Sequence, residues 1–409
     1  MAACFVSYID RSILSLLAEP IKHALHLSDT QIGLLQGAAF SIFFLLMTFP
    51  AGMFADRGNR MRLIGAGIVC WSFMTAFCGL CANFTQFFLA RMGVATGEAT
   101  LTPAAPSIIS DNFPPERRTL PLSLYQMGAG MGVGVSLIAG GFVAALVRGH
   151  ETITIPTVGT FEPWQIIFFV IGLPGLFLSL MLFLGREPAR RDQEGAHGTL
   201  HELAQVFKSR RAYIIPHLSA YCLYQTYGYA YFGWLPVFFM RVHGWSVPEV
   251  GLQYGVVHVV FGIAGAVTGG WLARLLWHRG RRDANLLTCA MCLSAMVVPA
   301  VFGTIVPNVI VSVLLLGLTA GLLQALGGTN SAVIQEIAPN RLRGRVVAIY
   351  YVVTGLTSMT FGPLLIGVMN DHVFSSARSI GKSMSLTALV TLPPASALLF
   401  LALRRRAQE

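Results

Sequence analysis

Gly52-Met53-Phe54-Ala55-Asp56-Arg57-Gly58-Asn59-Arg60-Met61-Arg62 joins two apolar runs, 31–55 and 62–83, through a turn that holds one acid and three arginines. About 20 apolar residues are what a helix needs to cross the hydrocarbon core, and a charged turn marks where the chain meets water again. The same alternation extends in both directions. Apolar runs fall at about 2–19, 31–55, 62–83, 86–110, 120–147, 163–185, 211–240, 248–277, 284–305, 307–336, 344–370 and 381–403, which makes twelve. The 409 residues are 55% hydrophobic and only 11% charged, so these runs are the structure itself. The fold class predicted is an all-α integral membrane protein with twelve transmembrane helices. The first run is apolar only over 2–17 and has no basic lead-in, so residues ahead of Met1 are expected to complete helix one. It lacks the pattern of a signal peptide.

A net charge of +10 would suit nucleic acid, but its distribution points elsewhere. Counting every second loop from the Gly52 turn, one side collects Arg57, Arg60, Arg62, Arg117, Arg118, Arg186, Arg190, Arg274, Arg281, Arg341, Arg345 and Arg404–Arg406. The other side holds Lys22, Arg148, Arg241, Arg378 and Lys382. The positive-inside rule then places both termini in the cytoplasm of a bacterial inner membrane. The expected partners are the bilayer, a small amphiphilic or anionic substrate and protons; nucleic acid is excluded, and a monomer is expected. All seven cysteines fall in apolar runs, and Cys78/Cys81 and Cys289/Cys292 read as buried packing residues. Neither a GxxxxGK[ST] loop, nor a metal-ligand set, nor a Ser-His-Asp pattern is present, so neither a cofactor nor an enzymatic function is expected.

The longest polar interval, between Arg186 and Arg211, divides six runs from six. The domains expected are an N-terminal six-helix bundle over 1–185, a cytoplasmic linker over 186–210 and a C-terminal six-helix bundle over 211–409. Within the linker, Thr199-Leu200-His201-Glu202 reads as a capping box opening a short amphipathic helix over 200–209. The halves repeat. Asp111, Pro114 and Arg118 follow run four at the same mutual spacing as Glu336, Pro339 and Arg343 after run ten, and Gly270-x-x-x-Arg274 echoes Gly52-x-x-x-Asp56. Parallel repeats of this kind are a transporter plan, with the substrate site near mid-membrane.

Gly52-x-x-x-Asp56-Arg57-x-x-Arg60 resembles the loop signature of the major facilitator superfamily. That resemblance implies two pseudo-symmetric six-helix bundles and a cytoplasmic gate at Gly52, Asp56, Arg57 and Arg60, with Asp111, Arg118, Glu336 and Arg343 at the repeated positions. Arg274 departs from the pattern, because the second copy has no acid there. The close glycines of runs two, five, eight and eleven, Gly265/Gly269 and Gly362/Gly367 among them, are implied to line a moving interface between halves. Gly128–Gly134 overlaps the superfamily's antiporter glycine pattern, but Ser136-Leu137 stands where that pattern has Gly-Pro. Tyr8-Ile9-Asp10-Arg11 and Arg91-x-Gly93-x-x-x-Gly97-Glu98 are similar to the Spinster family, which implies lysolipid or sphingolipid substrates such as sphingosine-1-phosphate.

Charges inside apolar runs are expensive and mark functional sites. Arg91 and Glu98 stand about 10 Å apart along one helical face, and Asp10 and Arg11 diverge by about 100°. The expected pairing is crossed, Asp10 with Arg91 and Arg11 with Glu98. A static ion-pair staple is the plain alternative, although such pairs contribute little net stability. A carboxylate whose arginine partner moves away takes up a proton, which makes Asp10 the first candidate for proton coupling and Glu98 the second. Arg11 or Arg91 then binds an anionic headgroup. Tyr224, Tyr227 and Tyr231 follow helical spacing in run seven, as cavity lining for a lipid tail or as ordinary packing. The function expected is secondary active transport, the proton-coupled movement of an amphiphilic lipid by alternating access. The rivals are a proton-coupled carrier of small organic anions or drugs and, from another class, a lipid scramblase or channel.

Overall fold

Backbone N–H and C=O groups in hydrocarbon must be satisfied within the chain, and helices do this locally. The computed structural model describes residues 2–113, 117, 119–147, 149–150, 152–155, 159–190, 200–337 and 340–406, and nearly all of these are helical. In order they form α1 (Ala2–Ala24), α2 (Asp29–Gln36), α3 (Ala38–Arg57), α4 (Arg60–Cys78), α5 (Phe84–Glu98), α6 (Leu101–Asn112), α7 (Thr119–Leu146), α8 (Pro163–Gly172), α9 (Pro174–Leu184) and α10 (Leu200–Ser209). There follow α11 (Arg211–His243), α12 (Val247–Glu249), α13 (Gly255–His278), α14 (Ala284–Phe302), α15 (Val309–Glu336), α16 (Asn340–Thr354), α17 (Thr360–Val368) and α18 (Ile380–Arg406). α10 occupies the linker segment predicted to be helical; Thr199 lies outside the described residues.

The twelve predicted runs map onto these helices, with several runs built from two pieces. α2–α3, α5–α6 and α8–α9 each form one pass, and π-helical turns at Val250–Tyr254 and Gly355–Met359 join α12 to α13 and α16 to α17. Among the described residues, eight passes are long and apolar enough by themselves to cross a membrane. Of the other four, α1 and α5 carry Asp10, Arg11, Arg91 and Glu98, which lower their hydropathy. A hairpin that the sequence did not announce, β1 (Ile153–Ile155) with β2 (Gly159–Phe161), pairs antiparallel before α8.

The chain divides into two compact units, Met1–Asp192 with Gly233–Val256, and Gln193–Phe232 with Val257–Glu409. In the first, α1 lies along α7, where Ser136 Oγ donates to Ile9 O at 2.8 Å and Gly132 sits against Tyr8. α4 crosses α5 at backbone contact, since a Cβ on Gly97 would lie 2.6 Å from Gly67 O. In the second unit, α14 packs between α15 and α18 through Cys289, Leu293 and Met296. Gly265 and Gly269 set α13 onto α15, and Gly362 sits against α11 at Thr226 and Ala230. Gly265, Gly269 and Gly362 therefore act inside the second unit, where they allow close helix contact, and in the first unit Gly141 of run five and Gly251 of run eight meet at backbone contact. Cys78 closes α4 and Cys81 lies just beyond it; all seven thiols are free.

Candidate functional site

Helix α1 presents Ser7, Asp10 and Arg11 toward α4 and α5. Glu98 is the last residue of α5, where the helix breaks before α6. The Gly67–Gly97 crossing brings Trp71 of α4 into the same layer. Asp10, Arg91 and Glu98 are all buried, and the Arg11 side chain is 16% exposed. One Glu98 oxygen, Oε2, accepts from Arg11 Nη2 at 2.6 Å and from Ser7 Oγ at 2.7 Å. The Arg11 guanidinium also lies over Phe40 at 4.2 Å, Tyr8 at 4.8 Å and Phe44 at 5.3 Å, which favours the cation by its position over ring faces. Arg91 lies 5.4 Å from the Phe40 ring.

The pairing is half of what the sequence suggested. Arg11–Glu98 is closed, whereas Asp10 and Arg91 form no ion pair within 4 Å. Neither oxygen of Asp10 accepts a hydrogen bond of normal geometry; the Glu98 carboxylate, the Arg91 guanidinium and the Trp71 indole are the polar groups near it. Arg91 Nε, Ser72 Oγ and Thr75 Oγ1 are likewise buried without partners at hydrogen-bond distance. The reason is angular: Asp10 and Arg11 leave α1 in different directions, and the Phe40 ring lies beneath both arginines. The site therefore holds one carboxylate satisfied at a single oxygen, with Glu98 Oε1 buried and unpaired, and one carboxylate satisfied at neither.

Ion clusters bracket this layer. At one end of the first unit, Arg60 is buried and donates to Glu187 Oε1 at 2.6 Å, to Ser107 Oγ at 2.8 Å and to Asp111. Arg190 caps the end of α3, donating to Ala55 O and Gly58 O at 2.7 Å each and to Asp56 O. Asp56 and Arg57 are exposed, and the Asp56 carboxylate has no ion pair among the described residues; Gly52 lies within α3. The buried charge of the signature is thus Arg60. Glu187 and Arg190, remote in sequence, could not be read as its neighbours. Arg118 and the Arg343 side chain lie outside the described residues. In the second unit, Glu336 accepts from Arg406 at 2.6 Å and from Asn285 at 2.8 Å.

At the other end of the first unit, Arg241 donates to both Asp29 oxygens at 2.6 and 2.7 Å and to Glu19 Oε2 at 2.8 Å, while Lys22 Nζ donates to Asp29 Oδ1 at 2.6 Å. Burial opposes the Arg241 charge, but the hydrogen bonds to Asp29 and Glu19 outweigh it and hold its pKa above the ordinary arginine value. This cluster is not legible in the sequence. Its only sequence signal is an isolated arginine after run seven on the side where basic residues are scarce. Along the helices, Asp10 lies about 18 Å from Lys22, and Glu98 about 20 Å from Asp111. The Asp10–Glu98 layer thus sits about midway between the two ion clusters.

On α11, Tyr224, Tyr227 and Tyr231 are buried. The Tyr224 hydroxyl donates to Leu323 O at 2.8 Å and that of Tyr231 to Leu316 O at 2.6 Å, both on α15. Two of the three hydroxyls are therefore engaged in helix packing within the second unit. His217 bridges Tyr350 Oη (3.2 Å) and Asn330 Oδ1 (3.0 Å) in the same unit, as a buried histidine with both ring nitrogens paired.

A family model described as the Major Facilitator Superfamily matches residues 1–363. An MFS-type efflux pump of Mycolicibacterium smegmatis is 28% identical over 93% of this chain and 86% of its own length. A probable L-galactonate transporter of Escherichia coli is 27% identical over 98% and 87%. The sphingosine-1-phosphate transporter SPNS2 of Danio rerio is 23% identical over 91% and 75%. Among solved structures, a bacterial homologue of the human lysosomal transporter Spinster, inward-facing and unoccupied, superposes with a TM-score of 0.85 and 28% identity, covering 99% of this chain and 95% of that one.

Proposed function

This chain belongs to the Major Facilitator Superfamily, and from that premise we propose that it moves an amphiphilic lipid phosphate, a lysolipid or sphingolipid phosphate, by proton-coupled alternating access. It is a multi-pass membrane transporter and not an enzyme. The observation that carries the proposal is the contrast between its two buried carboxylates. Glu98 has an arginine and a serine on one oxygen; Asp10 has no ion pair and no hydrogen bond of normal geometry, with the Trp71 indole turned toward it. A charge buried without partners is costly, and a proton on Asp10 relieves that cost. Arg91, facing Asp10 and likewise without a salt bridge, is placed to take a phosphate with paired donors. When the phosphate arrives, the arginine charge is neutralised by substrate and Asp10 keeps its proton. When the phosphate leaves and Arg91 closes onto Asp10, the ion pair favours the ionised acid and the proton is released. Arg11, held by Glu98 and three rings, serves as the fixed half of the site.

Similarity to the Spinster homologue and to the sphingosine-1-phosphate transporter supports the lipid. Similarity to the L-galactonate transporter and to the efflux pump favours a second reading, a proton-coupled carrier of small organic anions or drugs. We place the Arg60 end of the first unit in the cytoplasm by the positive-inside rule, with both termini on that side of a bacterial inner membrane and the chain acting as a monomer. Bundles over 1–185 and 211–409, joined by 186–210, are the moving parts of the cycle, with Asp56, Arg57, Arg60, Asp111, Arg118, Glu336 and Arg343 at its cytoplasmic gate. The test is proton flux in liposomes that hold the purified protein and an internal pH dye, with lysolipids, sphingosine-1-phosphate and L-galactonate added in turn. Flux evoked by the lipids and lost in Asp10→Asn supports the proposal. Flux evoked by the organic anion alone selects the second reading. Lipid movement that neither saturates nor responds to pH identifies a scramblase or channel.

A further inference from the structure

The repeat leaves one residue without a role: Arg274, which stands where the first copy of the signature has Asp56. In the second unit, the end of α13 and the facing part of α15 form an open groove of about 380 Å³ beside α14, lined by Gly270, Ala273, Arg274, Trp277, Asn285 and Gly328 among others. Cavities of this size hold a small ligand or a headgroup. Its width does not come from helices drawn together, because a Cβ added at Gly270 or Gly328 would meet nothing within 4 Å. The small residues here leave open space, unlike Gly265 and Gly269 higher on the same helix, where a Cβ would strike α15.

Its charge is uncompensated. Arg274 is exposed, and among the described residues its side chain makes only a long contact (3.4 Å) from Nε to His278, one turn on. None of the lining residues is acidic. The nearby acids have other partners: Asp283 accepts from Arg281 at 2.8 and 2.9 Å, and Glu336 from Arg406 and Asn285. The following loop adds the exposed Arg279 and Arg282. The apolar approach is equally clear. Val260, Ile263, Val267 and Trp271 recur on one exposed face of α13 and lead to Arg274 at helical spacing, with Trp271 62% and Trp277 60% exposed. Tryptophan at a helix end suits the level of the headgroups.

We infer that this groove binds an anionic phospholipid, its phosphate on Arg274 with Asn285 at the rim and its acyl chain along the exposed face of α13. Phosphodiester charge complements the isolated guanidinium, and hydrocarbon covers the Val260–Trp271 stripe. Basic pockets between membrane helices take anionic headgroups in this way. The assignment rests on the chain's spanning a membrane and not on the transported substrate; only its leaflet, the cytoplasmic one, rests on the orientation proposed above.

Native mass spectrometry of the full-length protein in detergent tests it, with phosphatidylglycerol, phosphatidylcholine or acyl-free glycerol phosphate added at equal concentration. Arg274→Gln and Arg274→Asp are compared with Arg279→Gln, an exposed arginine outside the groove. Expected is a phosphatidylglycerol adduct reduced about fivefold in both Arg274 variants, unchanged in Arg279→Gln, and absent with glycerol phosphate. Equal adducts with phosphatidylcholine, equal loss in Arg279→Gln, or full retention in Arg274→Gln would overturn the site. Because binding is read in detergent, its failure is distinct from failure of the proton-flux assay, and Arg274→Gln is an exposed change that leaves the fold intact.

Discussion

Replacing each buried carboxylate by its amide separates the two settings in the first unit. In Glu98→Gln, the amide oxygen can still accept from Ser7, but Arg11 loses its ion pair with Glu98, a contact of 2.6 Å with the acid fully buried. Removing one member of a buried pair costs about 3–5 kcal/mol. Arg11 keeps some water at 16% exposure and keeps its contacts with Phe40 and Tyr8, so the lower end applies, about 3 kcal/mol or roughly a hundredfold in an equilibrium constant. Asp10→Asn removes no salt bridge and no hydrogen bond of normal geometry. If Asp10 is carried as the neutral acid, one neutral group replaces another of the same size, and stability changes by about 1 kcal/mol or less. The assay is unfolding of the purified variants in mixed micelles titrated with a denaturing detergent. A gap of about 2 kcal/mol or more between them is expected. Equal losses, or a larger loss in Asp10→Asn, would show Asp10 to be a charged anchor for Arg91 and would refute its assignment as the proton carrier.

In transport, Asp10→Asn should abolish uphill movement driven by a pH gradient while exchange across the membrane continues; retained uphill movement removes Asp10 from the coupling. Arg91→Ala should weaken binding of a phosphorylated lipid at least tenfold more than that of its uncharged analogue, a ratio expected for a charge-assisted contact and read by binding competition; equal losses would make it a structural arginine. Arg241→Gln removes the guanidinium from both Asp29 and Glu19, so amide exchange over 19–36 and 233–256 should accelerate, and unchanged protection there would deny the cluster a clamping role. Gly67→Ala places a Cβ against Gly97 O at 2.7 Å and against the Thr100 hydroxyl, so it should cost about 1–3 kcal/mol and disturb the neighbouring Glu98; wild-type stability and flux would show that the α4–α5 crossing can yield.

Each residue's own solvation cost is a property of the chain alone. That is why the twelve passes, the short helix over 200–209 and the standing of Asp10, Arg91 and Glu98 as buried charges, with Arg11 half-buried beside them, are legible in the sequence alone. The Arg11–Glu98 pair was legible too, because few buried charges were available and their helical angles limited the choice. Partners that lie far apart in sequence were not. Arg60 meets Glu187 at a separation of 127 residues, and Arg241 meets Glu19 at 222, and neither acid differs in sequence from an ordinary surface carboxylate. The open Asp10–Arg91 relation, the two tyrosine hydroxyls turned onto α15 and the empty space beside Arg274 depend on which helices cross, and at what depth. Hydropathy and charge determined where the chain enters and leaves the membrane. Close contacts such as Gly67 on Gly97 and Ser136 on Ile9 decided which polar groups meet, because a hydrogen bond or ion pair needs its partners placed to within an ångström, a precision that only packed helices supply.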